Sequence, residues 1–429
     1  MFFEIISTVA VTGIGGYAFF KKSGMTLATN DAAKIKRIFE NANLGVKEEG
    51  RKKTIRLHRK RRINGGLEYV YQMPLGMSFK EVESNKNVIE DGLNVQSGGI
   101  SISLADLKAL KLNLDIGKQL KKLITKHKKA HKEIQLGFDG MLRIRVYDEP
   151  LSPIYQWHPP EAVGDRRKWT AAIGMSRRGL IMHDFEAQPH LIVAGSTGFG
   201  KSVFLKQLIT NLVIQHPDDL ELTLIDLKDG SAFRRFEHLK QTKHFATNPN
   251  EAVAALKEAQ ELMNNRMNGY TQKGYEDVSE AGIKKRHFII IDEAADLDKE
   301  ALEIIKDIAR RGRGPGFRLV YATQYPTTET IPSQVKRNIP ARLCFVLDST
   351  TASMAAMDMP GAESLPLIKG RGIYKQVRPT IVQAPFISNQ EIKKQISVHI
   401  RPKKEEQDEH RTTEKGGSDP FEFSETGLS

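Results

Sequence analysis

Residues 195–202 read Gly-Ser-Thr-Gly-Phe-Gly-Lys-Ser, a G-x-x-x-x-G-K-S run, and no other feature limits the fold as tightly. The apolar segment Leu191-Ile192-Val193-Ala194 leads into it. Val203, Leu205, Leu208, Ile209 and Leu212 follow at helical spacing. A strand, a glycine turn and a helix in that order aim backbone N–H groups and a helix N-terminus at one point, which suits a phosphate. The pattern assigns Gly195, Ser196, Thr197, Gly198, Phe199, Gly200, Lys201 and Ser202 to a cradle for ATP. Lys201 is expected to neutralise β/γ oxygens and the Ser202 hydroxyl to ligate Mg²⁺. A glycine-rich turn without a ligand is the competing reading, and the flanking periodicities weigh against it.

A second buried run, His287 to Ile291, ends in Asp292-Glu293. An acid at the carboxyl end of a neighbouring parallel strand faces the same crevice as the glycine loop. Asp292 is therefore expected in the Mg²⁺ shell, with Glu293 orienting or deprotonating the attacking water. Taken alone, such a pair is more often the acidic start of a helix. Gln324 follows a third run, Arg318–Tyr321, in Ala322-Thr323-Gln324. An amide there can sense the γ-phosphate, although a plain turn amide is the default.

From about 170 to 385, short apolar runs alternate with helical patterns. His190–Ala194, Leu220–Asp226, His287–Asp292, Arg318–Thr323, Arg342–Leu347 and Gly372–Lys375 are the expected strands, and 201–215, 249–268 and 299–311 the expected helices. This alternation argues an α/β fold with a mainly parallel sheet. A motor domain over 151–390 and a disordered tail over 391–429 follow from it. One cysteine, Cys344, excludes a disulfide framework and a cysteine-cluster metal site.

The formal net charge is +13, and residues 21–150 hold 27 Lys and Arg against 15 Asp and Glu. Arg51–Arg62 (RKKTIRLHRKRR) and the seven lysines between Lys118 and Lys132 dominate. They read either as solvated helix faces or disorder, or as a surface for nucleic acid or anionic lipid. Alternating runs at Thr54–Leu57, Leu67–Gln72 and Leu142–Val146, with a helical pattern over Ser78–Leu93, suggest a small basic α/β accessory module over 51–150. Phe2–Phe20 carries one charge, Glu4, and is followed by Lys21 and Lys22. Nineteen residues make roughly 28 Å of helix, near the hydrocarbon thickness of a bilayer. One N-terminal transmembrane helix within 1–22 is expected, with a juxtamembrane linker over 23–50 and the motor in the cytoplasm.

The motor segment resembles the FtsK/SpoIIIE family of DNA translocases. Pro189 to Gly198 is similar to that family's approach to its phosphate loop, and Leu224-Ile225-Asp226-Leu227-Lys228 to its LIDPK segment, with Leu227 in place of Pro. Ala322-Thr323-Gln324-Tyr325-Pro326 resembles ATQRP with Tyr325 in place of Arg. Arg313-Gly314-Pro315-Gly316 resembles RAAG, Asn338-Ile339-Pro340-Ala341-Arg342 resembles NIPTR, and Gly361-Ala362-Glu363 resembles GAE. The resemblance implies a RecA-like P-loop motor in a hexameric ring around DNA. ATP would lie between subunits, with Arg313 or Arg342 supplied by a neighbour; an ordinary salt bridge is the other reading for each arginine. The whole layout, with Tyr71 to Ser78, resembles the coupling proteins of Gram-positive conjugative elements. That implies a membrane-anchored pump delivering DNA to a conjugation channel, with relaxase and channel proteins as partners. A motor aiding plasmid or phage replication or segregation, and a protein secretion motor, are the alternatives.

Overall fold

The structure, a computed structural model, describes residues 26–27, 31–48, 51–95, 101–102, 131–160, 168–228 and 230–401. The expected transmembrane segment, nearly all of the Lys118–Lys132 run and the chain after 401 lie outside the described residues. Among those described, no helix is long and apolar enough to cross a membrane.

The first folded unit pairs four antiparallel strands with helices. Helix α1 is Asp31–Asn41. Strands β1 (Arg56–Ile63) and β2 (Gly66–Gln72) form a hairpin. Helix α2 (Lys86–Asn94) follows, then β3 (Glu133–Phe138) and β4 (Leu142–Tyr147). The strand order is β1-β2-β4-β3. Tyr69, Tyr71, Leu142, Ile144 and Val146 alternate onto one face and pack on Ile35, Phe39, Ile89 and Leu93 from the helices. The basic run Arg51–Arg62 is thus neither helical nor unstructured. It forms strands over Arg51–Thr54 and β1. Beyond Ile55 and Leu57, in the stretch expected to alternate, its residues have no apolar side chains to signal this. Pairing with the apolar β2 decides it, and β1 stays at the sheet edge with its charges in water.

The second unit is built on ten strands. In chain order these are β5 (Thr170–Ser176), β6 (Gly179–Asp184), β7 (His190–Ala194), β8 (Leu220–Asp226) and β9 (Thr242–Ala246). Then come β10 (Arg286–Asp292), β11 (Phe317–Thr323), β12 (Ala341–Phe345), β13 (Arg371–Lys375) and β14 (Pro379–Gln383). Their spatial order is β6-β5-β14-β13-β12-β7-β11-β10-β8-β9. The six strands from β12 to β9 run parallel, and the other four add antiparallel. The result is an α/β P-loop fold with a mixed, mostly parallel sheet.

Strands of the parallel part are buried on both faces, so they read as continuous apolar runs. Ile192, Ile289, Ile291, Leu319 and Tyr321 face α4 (Pro249–Thr271) and α5 (Lys299–Arg311). Leu191, Val193, Leu224, Phe288, Ile290 and Val320 face α3 (Lys201–Gln215). Asn248 starts α4 by accepting from Glu251 N at 3.1 Å, with Pro249 in the first turn. Phe288 is fully buried and meets Phe185 edge-on at 4.9 Å. Phe288→Ala is expected to lower stability by about 3–5 kcal/mol, read as a fall in the urea midpoint with an unchanged slope.

The folded chain extends past the boundary expected at 390. Ser388 caps a helix, Asn389–Ile396, that buries Ile392 and Ile396 in the core shared with α3. Two apolar side chains one turn apart anchor a segment whose composition is otherwise polar.

Candidate functional site

Three strand tips lie side by side at the carboxyl edge of the sheet. β7 ends at Ala194, β11 beside it at Thr323, and β10 beyond that at Asp292. The chain runs from β7 through α3 to β8, three strands over, and fills the two places between later with β10 and β11. Such a reversal of direction opens a crevice above the strand ends.

The glycine loop spans this crevice. Gly195 N donates to Thr323 O at 3.3 Å and Ser196 N to Val346 O at 2.9 Å, so the loop is tied to both neighbouring strands. Gly370 N donates to Phe199 O at 2.8 Å from a third side. Gly198 and Gly200 have φ of 87° and 112°, a region that disfavours any side chain. A Cβ on Gly200 would also stand 3.0 Å from Gly370 N. The first intrahelical bond of α3 is Phe204 N to Gly200 O, so the N–H groups before it are left for a ligand.

Lys201 is 3% exposed and pairs with Asp292, which also accepts from Ser202 Oγ at 3.3 Å. A hydroxyl and a carboxylate are hard oxygen donors. Two of them leave the rest of an octahedron to phosphate and water, as Mg²⁺ prefers. The donor set and the glycine cradle therefore fit a magnesium nucleotide. Lys201→Ala removes a positive charge from a buried pair and strands Asp292. The expected result is loss of ATP binding by calorimetry, with about 3–5 kcal/mol lost from folding stability.

Glu293 is 2% exposed and holds a left-handed backbone, φ 65°. A non-glycine residue strained in this way at a strand tip is a feature of functional sites. Its Oε1 accepts from Thr323 Oγ1 at 3.0 Å and Gln324 N at 3.1 Å. Its Oε2 has no hydrogen-bond partner among the described residues and lies 3.6 Å from Lys228 Nζ and 3.9 Å from Lys201 Nζ. Gln324 accepts from Thr197 Oγ1 at 2.6 Å, so the amide touches the loop itself.

Asp226 lies in register with Asp292, one strand over. Burial raises its pKa, while N–H groups of Phe233, Ala232 and Lys228 work against that rise. It accepts from Ala232 N at 2.7 Å and Phe233 N at 3.0 Å, and so shapes the loop that presents Lys228. Lys228 and Thr323 were not among the residues picked out as site groups from the sequence. Their signal is positional, since each stands at or just past the tip of a strand flanking β10.

The two arginines lie at the opposite, amino edge. Arg313 is exposed in the turn before β11, and its carbonyl accepts from Gly316 N at 3.2 Å. Seven strand residues, roughly 23 Å, separate it from the crevice of its own subunit. Arg342 is buried, pairs with Asp358 and donates to Lys336 O at 3.2 Å. Its side chain is therefore held within its own subunit, which is the salt-bridge reading for this residue.

Residues 165–297 match the model of the FtsK/SpoIIIE family. The chain is 32% identical over 273 residues to the DNA translocase FtsK of Caldanaerobacter subterraneus subsp. tengcongensis, covering 58% of this chain and 38% of that one. It is 30% identical over 280 residues to the DNA translocase SpoIIIE of Bacillus subtilis, covering 59% and 35%. The chain thus spans well under half the length of these relatives. Among solved structures, the pCW3 conjugation coupling protein TcpA, a monomer form with ATPγS, aligns with a TM-score of 0.56 at 20% identity, over 86% of this chain and 99% of that one. ATPases 2 and 3 of EssC from Geobacillus thermodenitrificans align with a TM-score of 0.51 at 14% identity, over 58% and 52%. At these identities the two structures are alike in fold. The glycine loop and the acid pair both fall inside the family match, and the chain carries an FtsK/SpoIIIE-family P-loop ATPase motor domain.

Proposed function

We propose that the protein is a membrane-anchored, ATP-driven DNA translocase that serves as the coupling protein of a conjugation system. The observation that carries the motor reading is the meeting of Lys201, Ser202, Asp292, Glu293 and Gln324 at three adjacent strand tips. Mg²⁺ would supply positive charge against the phosphate oxygens. Ser202 and Asp292 would hold the ion, and Lys201 would balance the phosphate charge. Glu293, fixed through Oε1, offers Oε2 to the attacking water and takes its proton. Gln324 links the γ-phosphate side of the loop to the base, because it touches Thr197 and Glu293 at once.

In this reading residues 1–22 anchor the chain, 23–50 link, the unit within 51–150 binds DNA and the unit from 151 is the motor. Six copies form a ring on DNA in which Arg313 completes a neighbour's site. Relaxase and channel proteins are its partners. The conjugation reading is supported by the fold alignment with TcpA, which reaches beyond the motor. A secretion motor shares the ATPase fold, but the arginine-rich sheet described below favours a polyanion.

The test uses the full chain in lipid nanodiscs with a triplex-bearing DNA. ATP hydrolysis should rise on adding DNA, and the third strand should be displaced only with hydrolysable ATP. Hydrolysis without displacement would sink the translocase reading. A strain carrying Glu293→Gln in place of the wild type should also lose DNA transfer in matings. Normal transfer would point to replication or segregation instead.

A further inference from the structure

The outer face of the four-stranded sheet is unusual in what it buries. Glu68, on the central strand β2, is 0% exposed and sits between Arg61 on β1 and Arg145 on β4. Arg145 Nε donates to its Oε1 at 2.9 Å. Arg61 and Arg143 approach its Oε2 at 3.2 and 3.3 Å. Arg143 also pairs with Asp139 at 2.8 Å. Arg59 and Arg56 continue the row along β1, opposite Val70 and Gln72, with no acid across from either. Five arginines therefore share one face with buried Glu68; Asp139 lies in the turn beside it, and Glu133, at the far end of the face on β3, is paired with Arg177. On β3, Gly137 stands opposite Arg143 with open space where a Cβ would be.

Charges on an edge strand usually guard it against pairing with another chain. That accounts for β1. It does not account for Arg143 and Arg145, which lie on an interior strand, or for a carboxylate buried beneath three guanidinium groups. Glu68 cancels one charge and takes only one or two donors from each arginine. The rest of the Arg61 and Arg145 forks stays available, held at a defined angle, while Arg143 spends all three nitrogens on Glu68 and Asp139. Guanidinium forks held in this way match phosphate oxygens in geometry as well as charge. Holding them in advance removes part of the ordering cost of binding. A face of guanidinium groups suits backbone contact without sequence reading.

We propose that this five-arginine face, built around buried Glu68, is where the chain grips the sugar-phosphate backbone of DNA. The inference rests on the translocase reading and names the surface that serves it. It is tested with the full chain, by anisotropy of labelled duplex and single-stranded DNA across a salt series. Arg56→Gln/Arg59→Gln removes two exposed arginines with no acid opposite, so folding is spared. The slope of log K against log salt should fall by about 1.8 for duplex, near 0.9 per lost contact. ATP hydrolysis without DNA should be unchanged. Lys36→Gln/Arg37→Gln on α1 lowers the net charge equally and should leave the slope as it was. Arg143→Gln/Arg145→Gln should lower it further if the variant folds, but the exposed pair decides the matter. An unchanged slope in Arg56→Gln/Arg59→Gln, with wild-type binding intact, overturns this surface and leaves the translocase reading standing. An equal fall in the α1 control overturns it in favour of net charge. Loss of binding to phosphatidylserine vesicles with an unchanged DNA slope overturns it in favour of a membrane contact. A wild-type chain that binds no DNA at low salt removes both readings.

Discussion

Glu293→Gln is expected to keep ATP binding and to lower turnover by about 10²–10⁴, the usual contribution of a positioned general base. Glutamine has the same shape, and its amide oxygen can still accept from Thr323 Oγ1 and Gln324 N, so the residue stays in place. What changes is the second atom. Oε2 becomes an NH₂ that cannot take a proton and that faces Lys228 and Lys201 rather than attracting them. Asp292, Ser202 and Lys201 are untouched, so the seats proposed for phosphate and Mg²⁺ remain. Phosphate release under saturating ATP, with calorimetry for binding, separates the two effects. Turnover within a few-fold of wild type would remove Glu293 from the role of base and leave water activation to the loop and the ion.

Arg313→Ala should likewise bind ATP and lose hydrolysis, by about 10³–10⁵ if the arginine acts as a finger. The geometry makes this a statement about assembly. Arg313 lies at the amino edge of β11, while the crevice is at the carboxyl edge, so it cannot serve its own subunit. In the ring proposed above, a head-to-tail interface would have to bring the amino edge of one subunit to the crevice of the next. Mixing provides the test. Lys201→Ala subunits keep Arg313 but lack a working loop, and Arg313→Ala subunits have the reverse defect. Mixed rings should regain part of the ATPase, because some interfaces join a sound loop to a sound arginine. Proven co-assembly with no recovery would count against Arg313. Arg342 is a poor substitute, since freeing it means breaking a buried pair with Asp358.

Where a function depends on a short stretch of chain, it could be read from the residues. The glycine loop is such a stretch. Its strand starts at His190 and its helix runs Lys201–Gln215 because period-two and period-3.6 patterns meet at glycines that admit positive φ. The acid pair after β10 was legible for the same reason, as a buried run ended by charge. Helix α4 began where Asn248 and Pro249 said it would.

Features that depend on partners far away in sequence were not legible. Nothing near Lys228 indicates that its ammonium stands beside Glu293; that follows from β8 lying next to β10. Within the basic run before Ile63 only Thr54–Leu57 has a strand pattern of its own, and the stretch from Arg59 on takes one from β2. Ile392 and Ile396 look like two isolated apolar residues in a polar tail until α3 offers them a surface. Glu68 reads as an ordinary surface acid, because its burial is made by arginines up to 77 positions away. The sequence alone therefore determined the loop, its strand and helix, and the acids at a strand end, since local backbone preference and side-chain periodicity carry that information. The tertiary structure alone decided which tips adjoin, which charges are buried and which arginine stays free, since strand order and burial are set by contacts between distant segments.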